Sequence, residues 1–282
     1  MFGGLSIRGQ VLGACSVPGP ARVHLFDLKA KERRGGFVLA PENRGGPSRA
    51  CAGLGLEASG RVVVCEPEEN RVQVFSAFGH EEGSLVALPE GVVPRDRRGL
   101  PVAPQRVLLG DGGEETLLLL LGDGTWVHAL QEFDRMGGFV RSYPSLGRRG
   151  EPYYGPCDLE SMGQEVWILE RGRSRIQMFR LGGGFLGSLD LLGFTRSSPL
   201  SFAVYPEGFF VLFEGGDLRW VDRDLRERRR LRVKPGFQRV AVEGGGVPWL
   251  WDPASEILLQ PFRKDVDSTA ETYSLNNPNW SP

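Results

Sequence analysis

The chain writes one phrase twice. Arg71-Val72-Gln73-Val74-Phe75 and Arg175-Ile176-Gln177-Met178-Phe179 share the pattern Arg, apolar, Gln, apolar, Phe, 104 residues apart. Alternation of this kind is the period of a half-buried strand. Its recurrence at long range is the mark of a repeat architecture. Around the first copy, residues 48–88 divide into four short strands, near 50–57, 61–65, 70–76 and 83–88. Residues 153–191 divide the same way around the second. Cys51 and Cys157 fall at matching places, as do Gly83-Ser84-Leu85 and Gly187-Ser188-Leu189.

A separation of 104 leaves room for one more unit of about 50 residues between the copies. Residues 105–146 supply it, with a degenerate third strand at Thr125–Leu130. Further units follow at 199–233 and at 237–265 continuing to 275, and the N-terminal segment supplies VLGACSV, RVHLFDL and GGFVLAP. The expected fold is therefore all-β: a six-bladed β-propeller of four-stranded antiparallel blades. The expected blades are 1–47, 48–102, 103–152, 153–196, 197–236 and 237–275, followed by a tail at 276–282 that carries Trp280. Forty glycines and twenty prolines, spread along the whole chain, suit many strands joined by tight turns. The innermost strand of the first blade is either Leu5–Gly9 or a strand from the C-terminal end.

The phrases VVVCEPEENRVQVFSAFG and VWILERGRSRIQMFRLGG resemble NHL repeats, with FFVLFEGGDLRWVD and ARVHLFDL matching in part. Where that family has Asp after the second strand, this chain has Glu66 and Glu170. In each phrase an acid precedes an Arg by five residues: Glu66 and Arg71, Glu170 and Arg175, Glu214 and Arg219. A hairpin folds each acid back toward its Arg, so the spacing predicts structural ion pairs.

Resemblance to NHL propellers implies a binding scaffold or a subunit of a larger assembly. For some relatives it implies RNA binding, and for others a metal-dependent lyase or hydrolase in the channel. The chain has three histidines, His24, His80 and His128, in different units, which is not the spacing of a zinc site. HExxH, GxSxG and P-loop motifs are absent from the sequence. The Asp-Gly pieces around Asp111 and Asp123 read as turns. No catalytic set, metal site or cofactor is expected, and the expected activity is non-enzymatic.

In a propeller, the turns joining strands two and three share a face with the links between blades. Those links contribute Arg44, Arg95, Arg97, Arg98, Arg148, Arg149, Arg196 and Lys234, with Tyr153 and Tyr154 beside the Arg148 pair. Arg with exposed Tyr is the composition of an interface hot spot or a nucleic-acid platform. The expected binding residues are Arg95, Arg97, Arg98, Arg148, Arg149, Tyr153, Tyr154 and Arg196. Protein partners are the first expectation and RNA the alternative. A net charge of −1 gives no global field toward polyanions. A second basic run, Arg219 to Lys234, reads as a solvated outer strand or a docking surface. The longest apolar run, Leu117 to Leu121, is far short of the roughly 20 residues that span a bilayer. The four cysteines lack CxxC spacing, and with no signal-like N-terminus they suit reduced thiols in a cytoplasmic protein.

Overall fold

A computed structural model describes residues 4–16, 21–39, 51–57, 59–67, 71–87, 104–109, 117–122, 127–134, 138–143, 155–261 and 271–274. The described strands form six four-stranded sheets, every neighbouring pair antiparallel and every sheet built from consecutive strands. The first holds β1 (Leu5–Arg8), β2 (Val11–Cys15), β3 (Arg22–Asp27) and β4 (Glu32–Val38). The second holds β5 (Gly53–Leu56), β6 (Val62–Glu66), β7 (Arg71–Phe75) and β8 (Glu81–Ala87). The third holds β9 (Pro104–Leu109), β10 (Leu117–Gly122), β11 (Val127–Phe133) and β12 (Phe139–Tyr143). The fourth holds β13 (Pro156–Met162), β14 (Glu165–Glu170), β15 (Arg175–Arg180) and β16 (Phe185–Asp190). The fifth holds β17 (Pro199–Tyr205), β18 (Gly208–Phe213), β19 (Asp217–Asp222) and β20 (Glu227–Arg232). The sixth holds β21 (Arg239–Val242), β22 (Pro248–Asp252), β23 (Ile257–Gln260) and β24 (Glu271–Ser274).

Position in the sheet explains composition. The second strands are covered on both faces by neighbouring sheets and read as continuous apolar runs, VVVC in β6, VWIL in β14 and GFFVLF in β18, all buried. The fourth strands lie at the rim and are largely exposed, FLGSLD in β16 and ERRRLR in β20. Apolar side chains from adjacent sheets meet in clusters. One joins Leu25 of the first sheet to Leu54 and Val64 of the second. Others join Leu130 to Ile168, Leu169 to Phe209, and Phe210 to Leu250.

The innermost strands β1, β5, β9, β13, β17 and β21 touch in succession, and β21 touches β1, which closes the cycle. Gly4 permits the tight approach of the first two sheets, because a Cβ there would lie 2.6 Å from the Leu54 backbone nitrogen. The closing seam between the sixth and first sheets shares no strand. Side chains hold it instead. Trp249 packs against Phe26 with ring centroids 5.7 Å apart, and Trp251 donates its indole N–H to the Cys15 carbonyl at 3.0 Å. Leu12, Ala14 and Leu258 complete a buried cluster around them.

The same seam holds His24. Its Nε2 lies 3.2 Å from Glu256 Oε2, presented from the turn before β23 by a backbone with φ of 52°. Burial lowers the His24 pKa to about 4, Arg33 and Arg22 push the same way, and the Glu256 carboxylate opposes them. A histidine whose folded pKa is lowered binds its proton later than the unfolded chain does. Stability should therefore fall as pH drops from 6.5 toward about 4. The full loss is about 3 kcal/mol, at about 1.4 kcal/mol per unit. Urea melts of wild type and His24→Gln across that window test this: the variant should show a flatter curve, and parallel curves would refute it.

The two hairpins that carry the repeated phrase place acid and Arg directly opposite each other, Glu66 with Arg71 and Glu170 with Arg175. Glu66 Oε2 receives Arg71 Nε at 2.7 Å, and Glu170 Oε2 receives Arg175 Nε. Both acids are buried, and each has its charge offset by its Arg. Glu214 and Arg219 behave differently. The β18–β19 turn is one residue shorter, with Phe213 opposite Asp217, so Glu214 lies beyond the ladder and Arg219 stands opposite Val211. Gly216, at φ of 81°, makes that tighter turn, and a Cβ there would lie 2.3 Å from the Val233 carbonyl oxygen. Glu214 instead pairs with Arg171 of the fourth sheet. Arg219 pairs with Asp217 at 2.9 Å and Glu227 at 2.5 Å.

Candidate functional site

Three innermost strands open with the same device. Pro104-Gln105-Arg106, Pro156-Cys157-Asp158 and Pro199-Leu200-Ser201 each begin a strand with Pro. In each the register shifts within those first residues. Pro lacks the N–H a ladder needs, and a bulge re-aims the side chain that follows it. The third residue turns toward the neighbouring sheet. Arg239 opens β21 at the corresponding place, without the Pro.

These residues form a belt around the axis. Arg106 Nη1 donates to the Ala52 carbonyl of the second sheet, and its Nε lies 3.5 Å from Asp158 Oδ1 of the fourth. Asp158 Oδ2 accepts the Ser201 hydroxyl at 2.5 Å and the Phe202 N–H at 3.1 Å from the fifth sheet. Ser201 Oγ accepts the Val240 N–H at 3.2 Å, and Arg239 Nη1 donates to the Leu200 carbonyl at 3.1 Å, both from the sixth. The belt thus runs from the second sheet to the sixth. Burial pushes the Asp158 carboxyl above its usual range, while Arg106 and the hydrogen bonds it accepts pull it back.

Beside the belt is a cavity of about 200 Å³ on the axis, lined by all six innermost strands. Glu160 projects into its wall, two residues beyond Asp158. Burial raises its carboxyl well above the usual carboxylate range, and the Asp158 charge adds to the shift. None of Arg106, Asp158, Glu160, Ser201 and Arg239 stood out in the sequence. The recurring Pro-x-polar start of units three, four and five was the signal that could have found three of them.

Of the expected binding residues, Arg196 is described and exposed, in the β16–β17 link. Arg95, Arg97, Arg98, Arg148, Arg149, Tyr153 and Tyr154 lie outside the described residues, as do Arg44, Asp111, Asp123 and the tail with Trp280. Lys234 is exposed. In the second basic run, Arg230 pairs with Asp217 at 2.9 Å and Arg228 with Asp222 at 2.5 Å, so several of its charges are spent within the fifth sheet. His24 belongs to the seam, His80 is exposed in the β7–β8 turn, and His128 lies in β11. Among the described residues, no three of His, Cys, Asp and Glu converge to hold a metal ion. The four cysteines are free, and burial pushes the Cys157 thiol up to about 12. Among the described residues, no helix is long and apolar enough to cross a membrane.

No protein-family model matches the chain, and no curated protein sequence matches it. Solved structures do. Virginiamycin B lyase from Staphylococcus aureus superposes with a TM-score of 0.62 at 12% identity, over 96% of this chain and 83% of that one. A chain of a nidogen/laminin complex gives 0.60 at 11% identity, over 82% and 80%. The WD40 propeller domain of Doa1 gives 0.57 at 10% identity, over 87% and 74%. At such identities likeness speaks for architecture alone, and with the cycle of sheets it leads to one conclusion: the chain is an all-β β-propeller with four-stranded antiparallel blades.

Proposed function

We propose that this is a six-bladed, NHL-like propeller with blades bounded near 47, 102, 152, 196 and 236. It works as a non-enzymatic scaffold or as a subunit of a larger assembly. The observation that carries the reading is the belt. Its Arg, Asp and Ser groups near the axis are engaged between blades, which makes the ring a stiff platform rather than a set of groups poised for chemistry. Six sheets in a closed cycle of innermost strands support the blade count. Partners would be met on the face of the inter-blade links, through Arg95, Arg97, Arg98, Arg148, Arg149, Tyr153, Tyr154 and Arg196, because links on a rigid frame are where recognition residues sit. Propellers of this shape occur in complexes, as the nidogen/laminin and BBS1N–ARL6DN structures state of themselves.

Affinity purification of the tagged chain from its native cell tests this, with and without nuclease, beside the Arg95→Glu/Arg97→Glu/Arg148→Glu/Arg149→Glu variant. A protein set that survives nuclease and is lost in the variant is the expected outcome. Loss on nuclease treatment would make the ligand RNA. An unchanged set in the variant would sink the choice of face.

One observation favours a second reading, a lyase or hydrolase working in the channel. Glu160 is a carboxyl held above its usual range inside an axial cavity, the setting of a general acid. Among the described residues the donors do not fit a protein-held metal. Glu160→Gln would leave the partner set unchanged under the first reading. Under the second it would abolish thermal stabilisation by any small molecule that fills the channel.

A further inference from the structure

The opposite face carries the β1–β2, β5–β6 and β7–β8 turns, and between the first two blades it opens into a groove of about 700 Å³. The groove crosses the whole first blade, from Arg8 on β1 through Val11 on β2 and Leu25 on β3 to Gly35 on β4. Leu56 and Ala77 of the second blade line its other wall. A Cβ at Gly9, Gly35 or Gly60 would meet nothing within 4 Å, so these positions border open space. Phe78 stands at the rim with 84% of its surface exposed, by far the most exposed large apolar side chain among the described residues. An aromatic ring left in water beside an apolar trough is the arrangement of an unfilled hot spot.

Charge selects the occupant. The groove's cations are Arg8 at its inner end and Arg34 at its outer end, and Arg34 is exposed with no partner among the described residues. Its acid, Glu57, is already held by Arg61 Nε at 2.6 Å and by the Ser59 hydroxyl at 3.0 Å. Three inter-strand steps of about 4.8 Å give a trough of roughly 14 Å, the span of about four extended residues. We propose that this groove binds an extended segment of a protein partner, about four residues long, with apolar side chains at its centre and a carboxylate at its outer end. Phe78 covers the apolar pair and Arg34 receives the outer carboxylate. This site is separate from the inter-blade face and does not depend on it.

The test uses the full chain and dye-labelled, end-capped peptides read by fluorescence anisotropy. The probe is Ser-Gly-Asp-Leu-Phe-Asp-Gly-Ser, compared with one peptide carrying Lys for both Asp and another carrying Ser for Leu and Phe. The first should bind at least tenfold more tightly than either. Phe78→Asp should weaken it at least tenfold and Arg34→Glu at least fivefold. Both side chains are exposed, so the melting temperature should hold in each variant. The four-Arg variant of the other face should bind like wild type. Absence of binding at millimolar peptide, equal binding of all three peptides, or indifference to both substitutions would overturn the proposal. Sedimentation of the unliganded chain adds one more outcome: a dimer that Phe78→Asp dissolves would assign the groove to a second copy and overturn the peptide reading.

Discussion

Trp251→Ala should destabilise the chain by about 3–5 kcal/mol, the cost of emptying a large buried aromatic site. In a domain of this size that lowers the melting temperature by roughly 10 °C. Trp251 is fully buried, and its indole N–H reaches across the seam to the Cys15 carbonyl. No two neighbouring sheets share a strand, but the sixth and first, last and first in chain order, are also the neighbours that no chain link joins, so side-chain packing is what holds this seam. The damage should therefore be local first. Hydrogen exchange in Trp251→Ala should lose protection in β1, β2, β21 and β22 before the rest of the ring. Phe209→Ala, in the cluster between the fourth and fifth blades, should cost a similar amount without that seam-first pattern. Equal loss of protection around the ring in Trp251→Ala would show that the seam is no weaker than any other interface.

Asp158→Ala should cost about 3–5 kcal/mol as well, for a different reason. It takes the Asp158 carboxylate from the buried Arg106, and leaves the Ser201 hydroxyl and Phe202 N–H without that acceptor. Asp158→Asn keeps an acceptor oxygen and should cost less, about 1–3 kcal/mol. Removing the cation as well, in Asp158→Ala/Arg106→Met, should recover part of the loss, since an apolar replacement of a buried pair is often tolerated. Denaturant melts of the three variants decide it. A double variant less stable than Asp158→Ala would mean that Arg106 supports the ring through the Ala52 carbonyl more than through Asp158.

The proposed link face and the proposed groove ask for different experiments, because in a propeller the inter-blade links and the β1–β2 turns belong to opposite faces.

What the sequence determined by itself is the repeat and its hairpins. Glu66–Arg71 and Glu170–Arg175 are legible because both partners lie within one turn, five residues apart, and strand alternation fixes which side chains face each other. The third such pair shows the limit of that logic. Glu214 keeps the spacing to Arg219, but a turn shorter by one residue shifts the register and sends each to another partner. The all-β class and the long apolar second strands were equally local, since burial on both faces leaves a continuous hydrophobic run.

Only the tertiary structure decided the rest. Asp158 meets Ser201 from 43 residues away, and Trp251 meets Cys15 from 236. Such contacts depend on how far each blade rotates about the axis, which no local pattern encodes. Closure by β1 rather than by a borrowed C-terminal strand, and the cleft that leaves Phe78 exposed beside Arg34, follow from the same cause. They arise between blades, where packing of whole sheets, and not the order of neighbouring residues, sets which side chains meet.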